Sequence, residues 1–296
     1  MSAPTVAPTV AQTVTVDVGQ AQLTCLVDGP ADGKVVLCAH GFPDCARSFR
    51  AQVGPLTARG FRVVVPWLRG YAPSSLARDG RYDIASLAAD LCALALRFSS
   101  QPVSLVGHDW GAIAAYAATA FAPHLFDKLV TMAVPHLLVA GARWGSLKQL
   151  KKSWYIAFFQ FRGIAERRVA ADNFAFIDRL WRDWSPGWTP PPDELAAVKA
   201  AFSSPEHLKA VLGYYRSFQS PAALFGESRK LILTRTSIPA MYLHGVDDGC
   251  AGVELADGLE PAYSAGIEVH KIPGAGHFVH QEKAAEVNDL LLRFLA

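Results

Sequence analysis

The 296-residue sequence predicts an α/β fold, a mostly parallel sheet flanked by helices with a helical cap inserted between two strands. Three observations predict it. Residues 34–39, 61–66, 102–106, 128–134 and 238–244 are short, nearly continuous apolar runs, the pattern of parallel strands buried on both faces. Helical segments such as 83–98 alternate with them. From 137 to 227 the alternation stops, and aromatic helices and a Pro190-Pro191-Pro192 run replace it. With 51% hydrophobic and 18% charged residues, the chain can bury one large core and still carry an insertion.

Taken in order, residues 1–12 repeat Ala-Pro-Thr-Val and read as a disordered lead-in. They lack the basic region and long apolar run of a signal peptide. Residues 13–18 alternate, Gly19-Gln20 turns, and 21–27 return, which is an antiparallel hairpin at a sheet edge. The strand at 34–39 ends at the loop His40-Gly41-Phe42-Pro43-Asp44. A helix over 48–58, a strand at 61–66 and a helix over 83–98 follow. The strand at 102–106 runs straight into a helix, and the one at 128–134 ends where the insertion begins. Strands at 238–244 and 267–272 and a last helix over 281–295 complete the chain. The expected core is 13–136 with 228–296, and the cap is 137–227. An insertion at the carboxyl edge of a parallel sheet falls over the ligand-binding side.

Charge and composition exclude several classes. A net charge of +2 is too small to imply nucleic acid or an anionic membrane as partner, and Lys148, Lys151, Lys152, Arg167 and Arg168 read as a solvated cap surface. The longest apolar run, 110–122, is too short to span a bilayer. Five cysteines with no C-x-x-C pair read as reduced, mostly buried thiols of a cytoplasmic protein. His277 and His280 form H-x-x-H without an evident third ligand, so neither a metal nor another cofactor is expected. Oligomeric state is not written here, and a homodimer is allowed.

The chemistry centres on Gly107-His108-Asp109-Trp110-Gly111. A strand, a tight turn and a helix meet at Asp109 with glycines two positions either side, the layout of the nucleophile elbow G-x-S-x-G with aspartate at its centre. The unpaired N–H groups of the helix face that carboxylate and favour its charged form. The other reading is a helix-capping Asp in an ordinary turn. An elbow enzyme places its acid and then its histidine downstream, each at the carboxyl end of a strand. Gly245-Val246-Asp247-Asp248-Gly249 and Gly274-Ala275-Gly276-His277-Phe278 stand in that order. Spacing from Gly245 favours Asp248 over Asp247, and the glycine-rich turn favours His277 over His280.

These motifs resemble the epoxide hydrolases of the α/β-hydrolase superfamily over essentially all residues after Val14. The match rests on His40-Gly41-Phe42-Pro43, Gly107-His108-Asp109-Trp110-Gly111 and Gly276-His277. In the cap it rests on Tyr155-Ile156-Ala157-Phe158-Phe159-Gln160, Leu180-Trp181-Arg182-Asp183-Trp184-Ser185-Pro186 and Tyr214-Tyr215-Arg216. The resemblance implies Asp109 as nucleophile, His277 as base, Asp248 as its orienter, and Tyr155 and Tyr215 as ring-opening acids. By spacing alone Tyr155 reads as packing, three and four residues before Phe158 and Phe159. The chain departs from the family at Trp67, where Asp is usual, and at Ala72, where Gly is usual; neither carries chemistry.

The residue types suit the reaction. A carboxylate attacks a saturated carbon without prior deprotonation, and protonated phenols, with a pKa of about 10, can donate to the epoxide oxygen. Hydrolysis of the resulting ester develops an oxyanion, for which the N–H groups of Phe42 and Trp110 are placed; losing one such donor typically costs about 10²–10³ in rate. Phe42, Pro43 and Trp110 are the expected substrate contacts, and the partners are a small apolar or aromatic epoxide and water. The competing readings are a haloalkane-type dehalogenase with the same nucleophile and a non-catalytic small-molecule receptor.

Overall fold

The structure is a computed structural model that describes residues 11–202, 204–218, 220 and 225–296. Positions 1–10 of the expected lead-in lie outside the described residues, and Gln12 already opens the first strand. Eight strands, β1 (Gln12–Asp17), β2 (Gln22–Asp28), β3 (Val35–Ala39), β4 (Arg62–Pro66), β5 (Val103–His108), β6 (Phe126–Met132), β7 (Ala240–Gly245) and β8 (Ile267–Ile272), form one sheet. Their order is β1-β2-β4-β3-β5-β6-β7-β8, with β1 and β2 paired antiparallel, β2 antiparallel to β4, and the rest parallel.

Every residue of β3, β5 and β7 is buried. Successive side chains point to opposite faces, so each apolar run feeds two cores at once. Leu37, Leu105 and Leu129 enter one with Leu87, Leu91 and Ile113. Val36, Val106 and Met241 enter the other with Phe49, Leu56 and Leu291. The helices on the sheet are α1 (Arg50–Ala58), α2 (Ile84–Phe98) and α3 (Trp110–Phe121). Asp83 caps α2 by accepting the Ser86 N–H at 3.1 Å.

Between β6 and β7 come α4 (Leu137–Trp144), α5 (Leu147–Lys152), α6 (Trp154–Phe158), α7 (Ile164–Trp184), α8 (Pro192–Ala200), α9 (Pro205–Ser217) and α10 (Glu227–Ile232). The last of these packs back on α2 and α3. The others touch the loops that follow the strands: Trp181 Nε1 donates to the Pro43 carbonyl at 2.7 Å, and Tyr214 Oη to the Arg69 carbonyl at 2.7 Å. Arg69 is itself locked by a buried two-point pair with Asp90, both contacts at 2.6 Å. The departure loop also joins core to cap, since Ala72 N–H donates to the Ala201 carbonyl at 2.7 Å.

Strand limits shift by one or two residues, two helices differ from their expected bounds, and one cap helix is broken internally. The helix expected over 48–58 begins as a 3₁₀ turn (Ala46–Phe49) before α1. The last helix is two, α11 (Val279–Glu282) and α12 (Ala284–Leu295), because Lys283 leaves helical geometry at φ −122° and ψ 47°. Inside α7, Asp172, Asn173 and Phe174 hold left-handed φ of 53°, 52° and 60°, breaking the helix without a glycine or proline. Among the described residues no helix is long and apolar enough to cross a membrane.

Candidate active site

β5 ends at His108, α3 begins at Trp110, and Asp109 between them takes φ 52° and ψ −116°. An L-residue is rarely held there, and such strain concentrates at functional sites. Close approach explains the glycines: a Cβ on Gly111 would lie 2.0 Å from the Ala39 carbonyl oxygen, and one on Gly41 would lie 2.4 Å from Asp109 Cβ. The Phe42 N–H donates to Asp109 Oδ1 at 2.7 Å. Trp110 opens α3, so its N–H has no acceptor within the helix.

The loop after β7 brings in Asp248. Its Oδ1 accepts the N–H groups of Cys250 and Ala251 at 2.6 and 2.8 Å, and its Oδ2 meets His277 Nδ1 at 3.0 Å. Asp247 is exposed and points elsewhere. His277, on the loop after β8, sets Nε2 3.6 Å from Asp109 Oδ2, so one imidazole joins both carboxylates. His280 falls in a different group, with His108 and Asp44, whose ligand-type atoms lie within 4.8 Å of one another in the core.

Burial alone would lower the His277 pKa, but the charge of Asp248, its hydrogen bond to Nδ1 and the charge of the nearby Asp109 outweigh it and raise it to about 10. Burial likewise works against ionised Asp248, yet the His277 charge and hydrogen bond hold its carboxyl below the ordinary value. The Tyr155 and Tyr215 phenols are pushed well above theirs, first by burial and then by neighbouring groups, and stay protonated.

Tyr155 and Tyr215 are both buried in the apolar cluster and reach one cavity. With Asp109, Trp110, Phe218 and Cys250 they line a cavity of about 270 Å³, mostly apolar. Their rings meet edge to face at 5.6 Å. Tyr155 Oη lies 3.2 Å from Cys250 Sγ, while Tyr215 Oη is buried without a hydrogen-bond partner among the described residues. Of the expected substrate contacts only Trp110 lines this cavity. Phe42 packs its ring on Phe159 and Tyr215, and Pro43 is buried with its carbonyl committed to Trp181. A larger, charged depression of about 620 Å³, bordered by Arg81, Glu206, Lys209 and Arg216, holds none of these residues.

Two contributors escaped the sequence reading. Trp184, named above only as part of a cap motif, uses its backbone carbonyl to accept the N–H groups of both Gly249 and His277, at 2.9 and 3.1 Å, and so ties the two loops together. Its ring lies 4.9 Å from both His277 and Tyr155. Cys250, grouped with the other thiols, faces the cavity two residues after Asp248. All five cysteines are buried and unpaired.

Residues 34–284 match the family model for the alpha/beta hydrolase fold. The chain belongs to the α/β-hydrolase family. This α/β hydrolase is 28% identical over 271 residues to the AB hydrolase superfamily protein YfhM of Bacillus subtilis, covering 90% of this chain and 92% of that one. It is also 28% identical over 324 residues to Epoxide hydrolase A of Mycobacterium tuberculosis, covering 95% and 96%. Among solved structures it resembles the epoxide hydrolase of Bacillus megaterium crystallised with an inhibitor, at a TM-score of 0.82 and 26% identity, covering 95% of this chain and 99% of that one.

Proposed function

We propose that this α/β hydrolase is a cytoplasmic epoxide hydrolase that converts an apolar or aromatic epoxide to a vicinal diol through an ester on Asp109. The observation that carries the reading is that Asp109 and two protonated phenols, Tyr155 and Tyr215, line one mostly apolar cavity. The names of the relatives agree with it. Asp109 attacks an epoxide carbon, the C–O bond breaks, and the phenols donate to the oxygen that takes the electron pair.

The resting His277 imidazole sits between two carboxylates, which favour its proton. Ester formation neutralises Asp109 and removes one of those charges, so the His277 pKa falls, its proton passes to the phenolate left by ring opening, and the neutral ring becomes a base. It takes a proton from water, the oxygen attacks Asp109 Cγ, and the oxyanion forms where the Phe42 N–H already reaches, with the Trp110 N–H as second donor. Collapse breaks the bond from Asp109 Cγ to the substrate oxygen, His277 returns the proton to that oxygen, and the diol leaves with Asp109 restored.

A dehalogenase would use the same nucleophile, but its leaving group departs as an anion and needs no acid. Comparing diol release from styrene oxide with bromide release from a phenethyl bromide tests this. Diol from the first without bromide from the second is the expected result; bromide release alone overturns the proposal.

A further inference from the structure

The cap segment 137–171 carries a second apolar face that the described residues leave largely uncovered, although Trp154 also meets Phe158 and Phe176 and carries the Arg179 guanidinium over its ring. Its inner side is buried, with Gln149, Tyr155 and Phe159 turned toward the core and cavity. On the outer side Leu147, Leu150 and Trp154 follow one another at helical spacing and are 80%, 52% and 39% exposed. Phe161 and Ile164 continue the exposed apolar surface at 59% and 53%. A stripe at that spacing is expected against protein, so its exposure marks an interaction surface.

The charge around it is as one-sided. Between 137 and 171 stand seven Lys and Arg and a single acid, Glu166, which pairs with Arg216 at 2.7 Å. The remainder of the chain holds 21 Lys and Arg against 25 Asp and Glu, so the small net charge conceals a basic cap face. Lys148 pairs with Glu254 at 3.0 Å and Arg168 with Asp172 at 3.8 Å, but Lys151, Arg162 and Arg167 are exposed and make no ion pair among the described residues. Exposed Leu, Trp, Phe and Ile interleaved with unpaired cations is the composition of a surface that lies in the headgroup boundary of an anionic bilayer. A second copy of this chain is the poorer occupant, because a two-fold contact would bring these cations toward their own copies.

We propose that this outer face of α5, α6 and the start of α7 docks the protein on an anionic lipid surface, with the apolar side chains entering the headgroup boundary and the cations meeting lipid phosphates. Leu137, Trp144, Tyr155 and Ile156 of the same segment line the 270 Å³ cavity, so docking brings a cavity wall to the lipid.

Sedimentation with vesicles tests it, using the full chain, equimolar phosphatidylglycerol and phosphatidylcholine, and pure phosphatidylcholine as control. Binding to the mixed vesicles that weakens with added salt is expected. Lys151→Glu should weaken it by at least fivefold, given roughly fivefold for each surface cation lost. Leu147→Ser with Leu150→Ser should weaken it about tenfold or more, with the circular dichroism spectrum and the turnover of a water-soluble substrate unchanged. No association with the mixed vesicles overturns the proposal. So does equal binding by the variants, or a concentration-dependent dimer in light scattering that the leucine substitutions abolish.

Discussion

His277→Gln forms the ester with an aryl epoxide and then stalls. Glutamine keeps the volume of the imidazole but cannot take a proton from water, whereas attack by Asp109 needs no base. Intact mass should show an addition equal to the whole epoxide, and peptide mapping should place it on Asp109. Steady-state diol release should fall by roughly 10²–10⁴, the usual contribution of a positioned base. The 3.6 Å separation of His277 Nε2 from Asp109 Oδ2 sets this expectation, because the atom that would attack the ester must reach Asp109 from the imidazole side. Full turnover by this variant would remove His277 from the reaction.

Tyr155→Phe with Tyr215→Phe acts on the opposite half of the cycle. Without either phenol the opening epoxide releases a bare alkoxide into a cavity that is mostly apolar. Ester formation in a single turnover should slow by about 10²–10⁴, while hydrolysis of ester already formed should be little changed. The single variants should differ. Tyr215 Oη has no hydrogen-bond partner among the described residues to give up, so its full hydrogen-bonding capacity is available to the substrate. Tyr155 must share with Cys250 Sγ at 3.2 Å, so Tyr215→Phe is the costlier change. If the double variant forms ester at the normal rate, the phenols pack the cap and the acid lies elsewhere.

The parts of this protein that could be read from its residues are those in which local pattern and global demand coincide. β3, β5 and β7 are buried on both faces, so mostly apolar side chains suit them, and their places in the chain are legible to within two residues. The glycines around Asp109 are equally legible, since a Cβ at Gly111 collides with backbone. Trp184 was not, because its carbonyl does the tethering and a backbone acceptor leaves no mark on residue choice. The break in α7 escaped for a related reason: Asp172, Asn173 and Phe174 take left-handed geometry that only the surrounding packing enforces. Pro43 illustrates the opposite error. Motif position puts it beside the nucleophile, yet Trp181 occupies its carbonyl and Pro43 does not line the cavity. Averaging charge over the whole chain likewise hid the basic cap face, which only exposure of individual side chains separates from the rest.

The central claim is that one oxygen of the diol comes from Asp109 rather than directly from water. A single turnover in H₂¹⁸O with enzyme in excess over styrene oxide tests it most directly. The proposed chemistry puts ¹⁸O into the peptide containing Asp109 and leaves the first diol unlabelled. Label in that diol, with Asp109 unlabelled, would mean that water attacks the epoxide itself and that no ester lies on the path.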